Sequence, residues 1–199
     1  MKRVETASAR PMSRRRLLGA LAALAAGRAA PAGAGEPFGN VRHQFTWLRP
    51  VRRLPPLSLR RLDGTTAALA SRGRVMVVNF WATWCPACRA ELPALERLQA
   101  EAAGVDVVAV SVDRDPAVVA PFLRRLGIRR LPVYTDPQGV IWTKDGAAPF
   151  TLYGMPISYL VAPDGGIVGY LTGEADWASE AARQLIAAVA ASGAGERSR

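Results

Sequence analysis

Apolar positions along the chain follow two periods. The run Val75-Met76-Val77-Val78-Asn79-Phe80-Trp81 is β-branched and aromatic with one polar residue, the pattern of a buried strand. Val105 to Val112 repeats that pattern, and Leu131 to Thr135 predicts a short strand before the turn Asp136-Pro137-Gln138-Gly139. A strand within Gly154 to Val161, the turn Ala162 to Gly166 and a strand over Ile167 to Leu171 read as a hairpin. The other period is helical. Cys88, Glu91, Leu95, Leu98 and Ala102 advance by three and four, which puts them on one stripe of a helix ending near Ala103 and kinked at Pro93. Pro116 to Leu126 predicts an amphipathic helix closed by Gly127, and Ala175 to Ala191 a final helix. Pro56 to Leu59 with Asp63-Gly64-Thr65 reads as an N-terminal strand and turn, whereas Val140 to Tyr153 predicts irregular structure. Strands alternating with helices make this an α/β sandwich.

The ends of the chain follow different rules. Ser13-Arg14-Arg15-Arg16 leads into the apolar stretch Leu17 to Ala26. Ten helical residues reach about 15 Å, half of the ~30 Å hydrocarbon core, so the stretch is too short for a stable span. Ala32-Gly33-Ala34 then fits a signal-peptidase site. Residues 1–34 are therefore expected to be an export signal. Its serine–arginine–arginine–x–leucine–leucine order resembles twin-arginine signals, with an arginine-rich Sec signal as the alternative. The expected product is exported and periplasmic, soluble after cleavage or tethered if the signal is retained. Residues 192–199 are expected to be a disordered tail.

Composition matters mainly through its distribution. The formal charge is +10, and seven basic side chains against one acid give residues 1–34 a net +6, leaving +4 for the rest. That removes most of the case for a nucleic-acid partner. Arg42, Arg49, Arg52, Arg53, Arg60 and Arg61, beside Pro50, Pro55 and Pro56, make a basic lead-in, and residues 35–54 read as a basic linker ahead of a domain over 55–191. Contact with an anionic membrane or an acidic partner is the alternative role. One histidine, His43, and two cysteines are too few for a zinc cluster, so no metal and no cofactor are expected.

Both cysteines lie in Cys85-Pro86-Ala87-Cys88. A bridge closing so short a loop restricts the unfolded chain very little, so a redox pair is the better reading than a staple. The motif falls where strand passes into helix, with Cys85 at the helix N-terminus, where backbone N–H groups and the macrodipole favour the thiolate. Cys88, one turn in, is placed as the resolving thiol. Arg89 follows the second cysteine, which argues against covalent haem attachment. Trp84 is expected to shield Cys85 and belong to the partner-binding surface, and Trp81 to be core. Glu91 in an inward stripe has two readings, a raised-pKa proton relay one turn from Cys88 or a solvated acid near the helix start.

The stretch Asn79 to Pro93, NFWATWCPACRAELP, resembles the active-site segment of exported thioredoxin-like proteins of the TlpA/ResA group, and the resemblance extends from about Leu54 to Ala191. It implies a thioredoxin-like fold: a central mixed β-sheet flanked by helices, with an N-terminal strand extension and an insertion before the cis-proline strand. It also implies that Pro156 is that cis-proline, facing the cysteines across a substrate site with Trp84, Pro86 and Met155. Met155 departs from the Val, Leu or Thr usual in the group. Thioredoxins proper carry a buried aspartate where this chain has Asn79, which cannot take a proton from Cys88, and ResA-like proteins carry a functional glutamate at the position of Glu91.

The expected activity is thiol–disulfide exchange by an exported monomer with Cys85, Cys88 and Glu91 as catalytic residues. The resemblance implies disulfide-bearing protein substrates such as apocytochrome c or copper-site proteins, and a membrane thiol reductase as electron donor. Pro-Ala between the cysteines adds no charge or side-chain donor to stabilise a thiolate, which favours a reductant. The alternatives are a disulfide donor in the same fold and a non-enzymatic copper carrier, for which the cysteine spacing is short and a nearby histidine is lacking. A peroxiredoxin-type peroxidase is argued against by the paired cysteines.

Overall fold

The computed structural model describes residues 37–195; the expected export signal lies outside the described residues. In chain order the elements are β1 (Thr46–Arg53), β2 (Leu57–Arg61), β3 (Thr66–Leu69), β4 (Val75–Trp81), α1 (Pro86–Glu101) and β5 (Val105–Ser111). A 3-10 turn (Pro116–Val118) runs into α2 (Val119–Leu126), followed by β6 (Val133–Thr135), β7 (Trp142–Thr143) and β8 (Phe150–Thr151). The chain closes with β9 (Ile157–Val161), β10 (Gly166–Thr172) and α3 (Glu180–Gly195).

Eight strands form one mixed sheet in the order β1-β10-β9-β4-β5-β6-β2-β3. The pairs β4–β5 and β5–β6 are parallel, and β4–β9 is antiparallel. Every residue of β4 is buried, as a central strand covered on both faces requires. Its alternate residues divide between two cores. Val75, Val77 and Trp81 join a cluster with Leu92, Leu95 and Leu98 of α1, Phe122 of α2, and Ile186 and Val189 of α3. Met76, Val78 and Phe80 face the other way, against Leu59, Ile141, Phe150 and Tyr159. Gly127 ends α2 in a left-handed conformation (φ 78°), its N–H donating to the carbonyls of Leu123 and Arg124.

Three expectations need correction. The region read as a basic linker is in large part structure: Thr46–Arg53 is an edge strand antiparallel to β10, with Trp47 opposite Gly169. Five of its eight side chains are polar or prolyl, and its register breaks between Trp47 and Arg52 around Pro50, so no alternation signals it. Backbone pairing to an otherwise bare β10 edge places it, with the arginines left in solvent. Gly169 permits the approach: a Cβ there would lie 2.5 Å from the Phe45 ring and from the Thr46 carbonyl oxygen. The second correction is that α3 begins at Glu180, not Ala175, because the backbone at Ala175 serves the site described below, and continues to Gly195 through residues expected in a tail. Residues 196–199 lie outside the described residues. Finally, the insertion read as irregular holds the short parallel pair β7–β8, with Ile141 and Phe150 anchored in the second core.

Candidate active site

The strongest chemistry sits at the C-terminal end of the parallel strands. β4 ends at Trp81, and Ala82-Thr83-Trp84 turns the chain into α1 with Cys85 as its N-cap in extended conformation (φ −92°, ψ 111°). Pro86 occupies the first turn, where its missing N–H costs nothing. The Cys88 backbone N–H donates to Cys85 Sγ at 3.1 Å. The same N–H would serve a Cys85 thiolate, whose charge the helix N-terminus also favours. The two cysteines form a disulfide with Cα atoms 5.3 Å apart. Cys88 is fully enclosed and Cys85 is 5% exposed, so attack is possible only at Cys85. Trp84 stands beside it, 66% exposed, whereas Trp81 is buried in the core.

A groove of 1120 Å³ runs past Cys85, lined by Trp84, Pro86, Met155, Tyr153 and, from the insertion, Trp142 and Lys144. Met155 is half-buried and packs on the core, and the Met155–Pro156 peptide is cis. Pro156 is buried at the entry to β9, with its carbonyl accepting from Gly173 N–H at 2.7 Å. Three of the four expected substrate-site residues, Trp84, Pro86 and Met155, thus come together on the groove, and the buried Pro156 follows Met155 through the cis bond without lining it. A second groove of 1180 Å³ shares Ala87, Tyr153, Gly154 and Met155 with the first and reaches Glu91 and His43.

Glu91 is 2% exposed, one turn along α1 from Cys88. Its Oε1 accepts from Trp177 Nε1–H at 2.8 Å and from Ala175 N–H at 3.2 Å, and its Oε2 accepts from Asn79 Nδ2–H at 2.8 Å. Burial pushes its pKa up to about 8, against the three donors that favour the carboxylate. Of the two readings of Glu91, the solvated one is wrong for this fold. Asn79 donates its other N–H to Ser158 Oγ at 2.9 Å and leaves its own Oδ1 without a partner. Trp177 and Ser158 carried no local signal, since they reach Glu91 and Asn79 across 86 and 79 residues of chain.

Sequence reasoning also missed a polar cluster on the groove wall. Asp113 is 4% exposed and accepts from the backbone and hydroxyl of Thr83 and from the Ser111 hydroxyl. Among the described residues no group of three or more His, Cys, Asp or Glu side chains is placed to hold a metal ion.

The family model Redoxin matches residues 26–185. The chain belongs to the Redoxin family. Within it, the chain falls in the thioredoxin-like TlpA/ResA group. The thiol-disulfide oxidoreductase ResA of Oceanobacillus iheyensis is 37% identical over 109 residues, covering 53% of this chain and 54% of the relative. The thioredoxin-like protein YneN of Bacillus subtilis is 32% identical over 119 residues, 57% of this chain and 66% of its own. The chain therefore spans about half to two thirds of the length of these relatives. A crystal structure of a thiol:disulfide interchange protein of the thioredoxin family from Chlorobium tepidum superposes with a TM-score of 0.58 at 26% identity, over 71% of this chain and 99% of that one. This Redoxin member thus shares the thioredoxin-like fold, a mixed sheet with helices packed on it.

Proposed function

We propose that this protein is a thiol–disulfide oxidoreductase that reduces disulfides in partner proteins. The observation that carries the reading is the Cys85–Cys88 pair at a helix N-terminus, its outer sulfur opening onto a groove walled by Trp84 and by Met155, which precedes the cis-proline. In the reduced protein the Cys85 thiolate attacks a partner disulfide, forming a mixed disulfide and expelling one partner sulfur as a thiolate that takes a proton from water. The Cys88 thiol then passes its proton to the Glu91 carboxylate, attacks Cys85 Sγ and expels the second partner sulfur. Two electrons have moved to the partner, and Cys85–Cys88 is left as the disulfide. A carboxyl titrating near neutrality suits this relay, because it can both take and return the proton.

The finer reading has residues 1–34 as an export signal and the protein at work in the periplasm as a monomer. There it would reduce apocytochrome c or copper-site proteins, with electrons from a membrane thiol reductase. The charge-poor Pro-Ala dipeptide between the cysteines supports a reductant over a disulfide donor.

The test is Cys88→Ser in the full chain, incubated with a protein carrying one accessible disulfide. A covalent complex through Cys85 that reductant dissolves is expected. Absence of any complex, with wild type also failing to reduce the substrate, would sink the proposal.

A further inference from the structure

The loop that delivers Cys85 is held by a carboxylate. β4 and β5 pair in parallel as far as Trp81 opposite Ser111, and Val112 N–H donates to the Trp81 carbonyl at 2.9 Å. Beyond that point the two chains diverge, one toward α1 and the other toward α2. The Asp113 side chain spans the gap. Its Oδ2 and Oδ1 accept from Thr83 N–H at 3.0 and 3.3 Å, and Oδ1 accepts from Thr83 Oγ1–H at 2.7 Å. Oδ2 also accepts from Ser111 Oγ–H at 2.8 Å, and that hydroxyl oxygen in turn accepts from Asp113 N–H at 3.1 Å.

A buried carboxylate is a costly way to join two strand ends. Among the described residues it has no cation within ion-pair distance, so the three donors alone offset its desolvation. What the arrangement does secure is both the backbone and the side chain of Thr83, two residues ahead of the sulfur that opens onto the groove. Charge-assisted hydrogen bonds are short and directional, which suits them to holding a loop in one geometry.

We propose that Asp113 is a positioning residue for the nucleophile: through Thr83 it fixes the Ala82–Trp84 turn, and so holds Cys85 Sγ against the Cys88 N–H of α1. The proposal rests on Cys85 being the attacking thiol. A misplacement of about 1 Å can cost about 10²-fold in rate, and losing one of the bonds to Thr83 is expected to cost a fraction of that.

The experiment uses the reduced full chain and a small aromatic disulfide, following the second-order rate and, separately, the amplitude that counts reacting thiols. Thr83→Val is expected to react between about threefold and tenfold more slowly at full amplitude, with the pH midpoint of its rate moved upward. Thr83→Ser restores the hydroxyl and should return within about twofold of wild type. Asp113→Asn, which keeps one acceptor oxygen of two, should be slower than Thr83→Val. If it does not fold, the Thr83 pair still decides. A purely structural role would lower amplitude and melting temperature and leave the rate per thiol unchanged. An unchanged rate and midpoint in Thr83→Val, or a Thr83→Ser protein as slow as Thr83→Val, overturns the assignment. A Cys85→Ser control that reacts as fast as wild type would instead overturn the underlying thiol–disulfide reading.

Discussion

Replacing Glu91 by glutamine should spare the protein a loss of stability that the wild type suffers as pH rises, while slowing its chemistry. Glu91 titrates near 8 in the fold against 4.5 in the unfolded chain, chiefly because burial penalises the charge. Between those values the folded protein binds a proton that the unfolded chain has lost, so the stability linked to Glu91 is fully present below about pH 4.5 and is lost as pH rises to about 8. The slope is about 1.4 kcal/mol per pH unit. Over the two units from pH 5.5 to 7.5 the wild type should lose on the order of 3 kcal/mol that glutamine retains. The substitution fits the site. Glutamine Oε1 can accept from Trp177 and Ala175 as the carboxylate does. An Asn79 rotated about its amide can turn its partnerless Oδ1 toward the new Nε2. The assay is guanidinium unfolding of the disulfide-intact proteins, wild type and Glu91→Gln, at unit steps from pH 5 to 8. A stability gap that widens with pH is expected. Parallel profiles would refute the raised pKa and, with it, the proton relay. In turnover, the glutamine variant should accumulate mixed disulfide, because Cys88 loses its proton acceptor.

Trp177→Phe removes a donor that favours the Glu91 carboxylate, so the Glu91 midpoint, followed by ¹³C-carboxyl NMR, should rise by about one unit. Gly169→Ala drives a Cβ into the Phe45 ring and the Thr46 carbonyl of an edge strand with little room to yield. A loss of about 1–3 kcal/mol and a lowered melting temperature are expected, with the Cys85 reaction rate unchanged.

The parts of the fold that were legible were those whose signal is local. The breaker-free run of β4, the Cys-Pro-Ala-Cys junction and the three–four stripe of α1 are each written in consecutive residues, and each forms where the pattern placed it. The stripe even marked Glu91 as inward-facing. It could not supply Trp177, Ala175 and Ser158, which lie far along the chain and meet the site only once β9 and the approach to α3 are folded against β4. β1 was hidden for another reason. Its place depends on main-chain pairing with β10 and on the absence of a side chain at Gly169, whereas half of its own residues are the arginines and proline typical of solvated linkers. Asp113 sits in Ser111-Val112-Asp113-Arg114-Asp115, where two acids and an arginine read as an ordinary turn. Only the parallel register that sets Trp81 opposite Ser111 separates the buried acid from Asp115, which caps the 3-10 turn through Ala117 N–H.

The central claim is that Cys85 and Cys88 deliver electrons to partner disulfides, and their equilibrium reduction potential tests it most directly. With the protein equilibrated against glutathione or thioredoxin standards, a value of about −200 mV or lower is expected, in or below the range of glutaredoxins. A value near −120 mV, about that of DsbA, would contradict it and make the protein a disulfide donor.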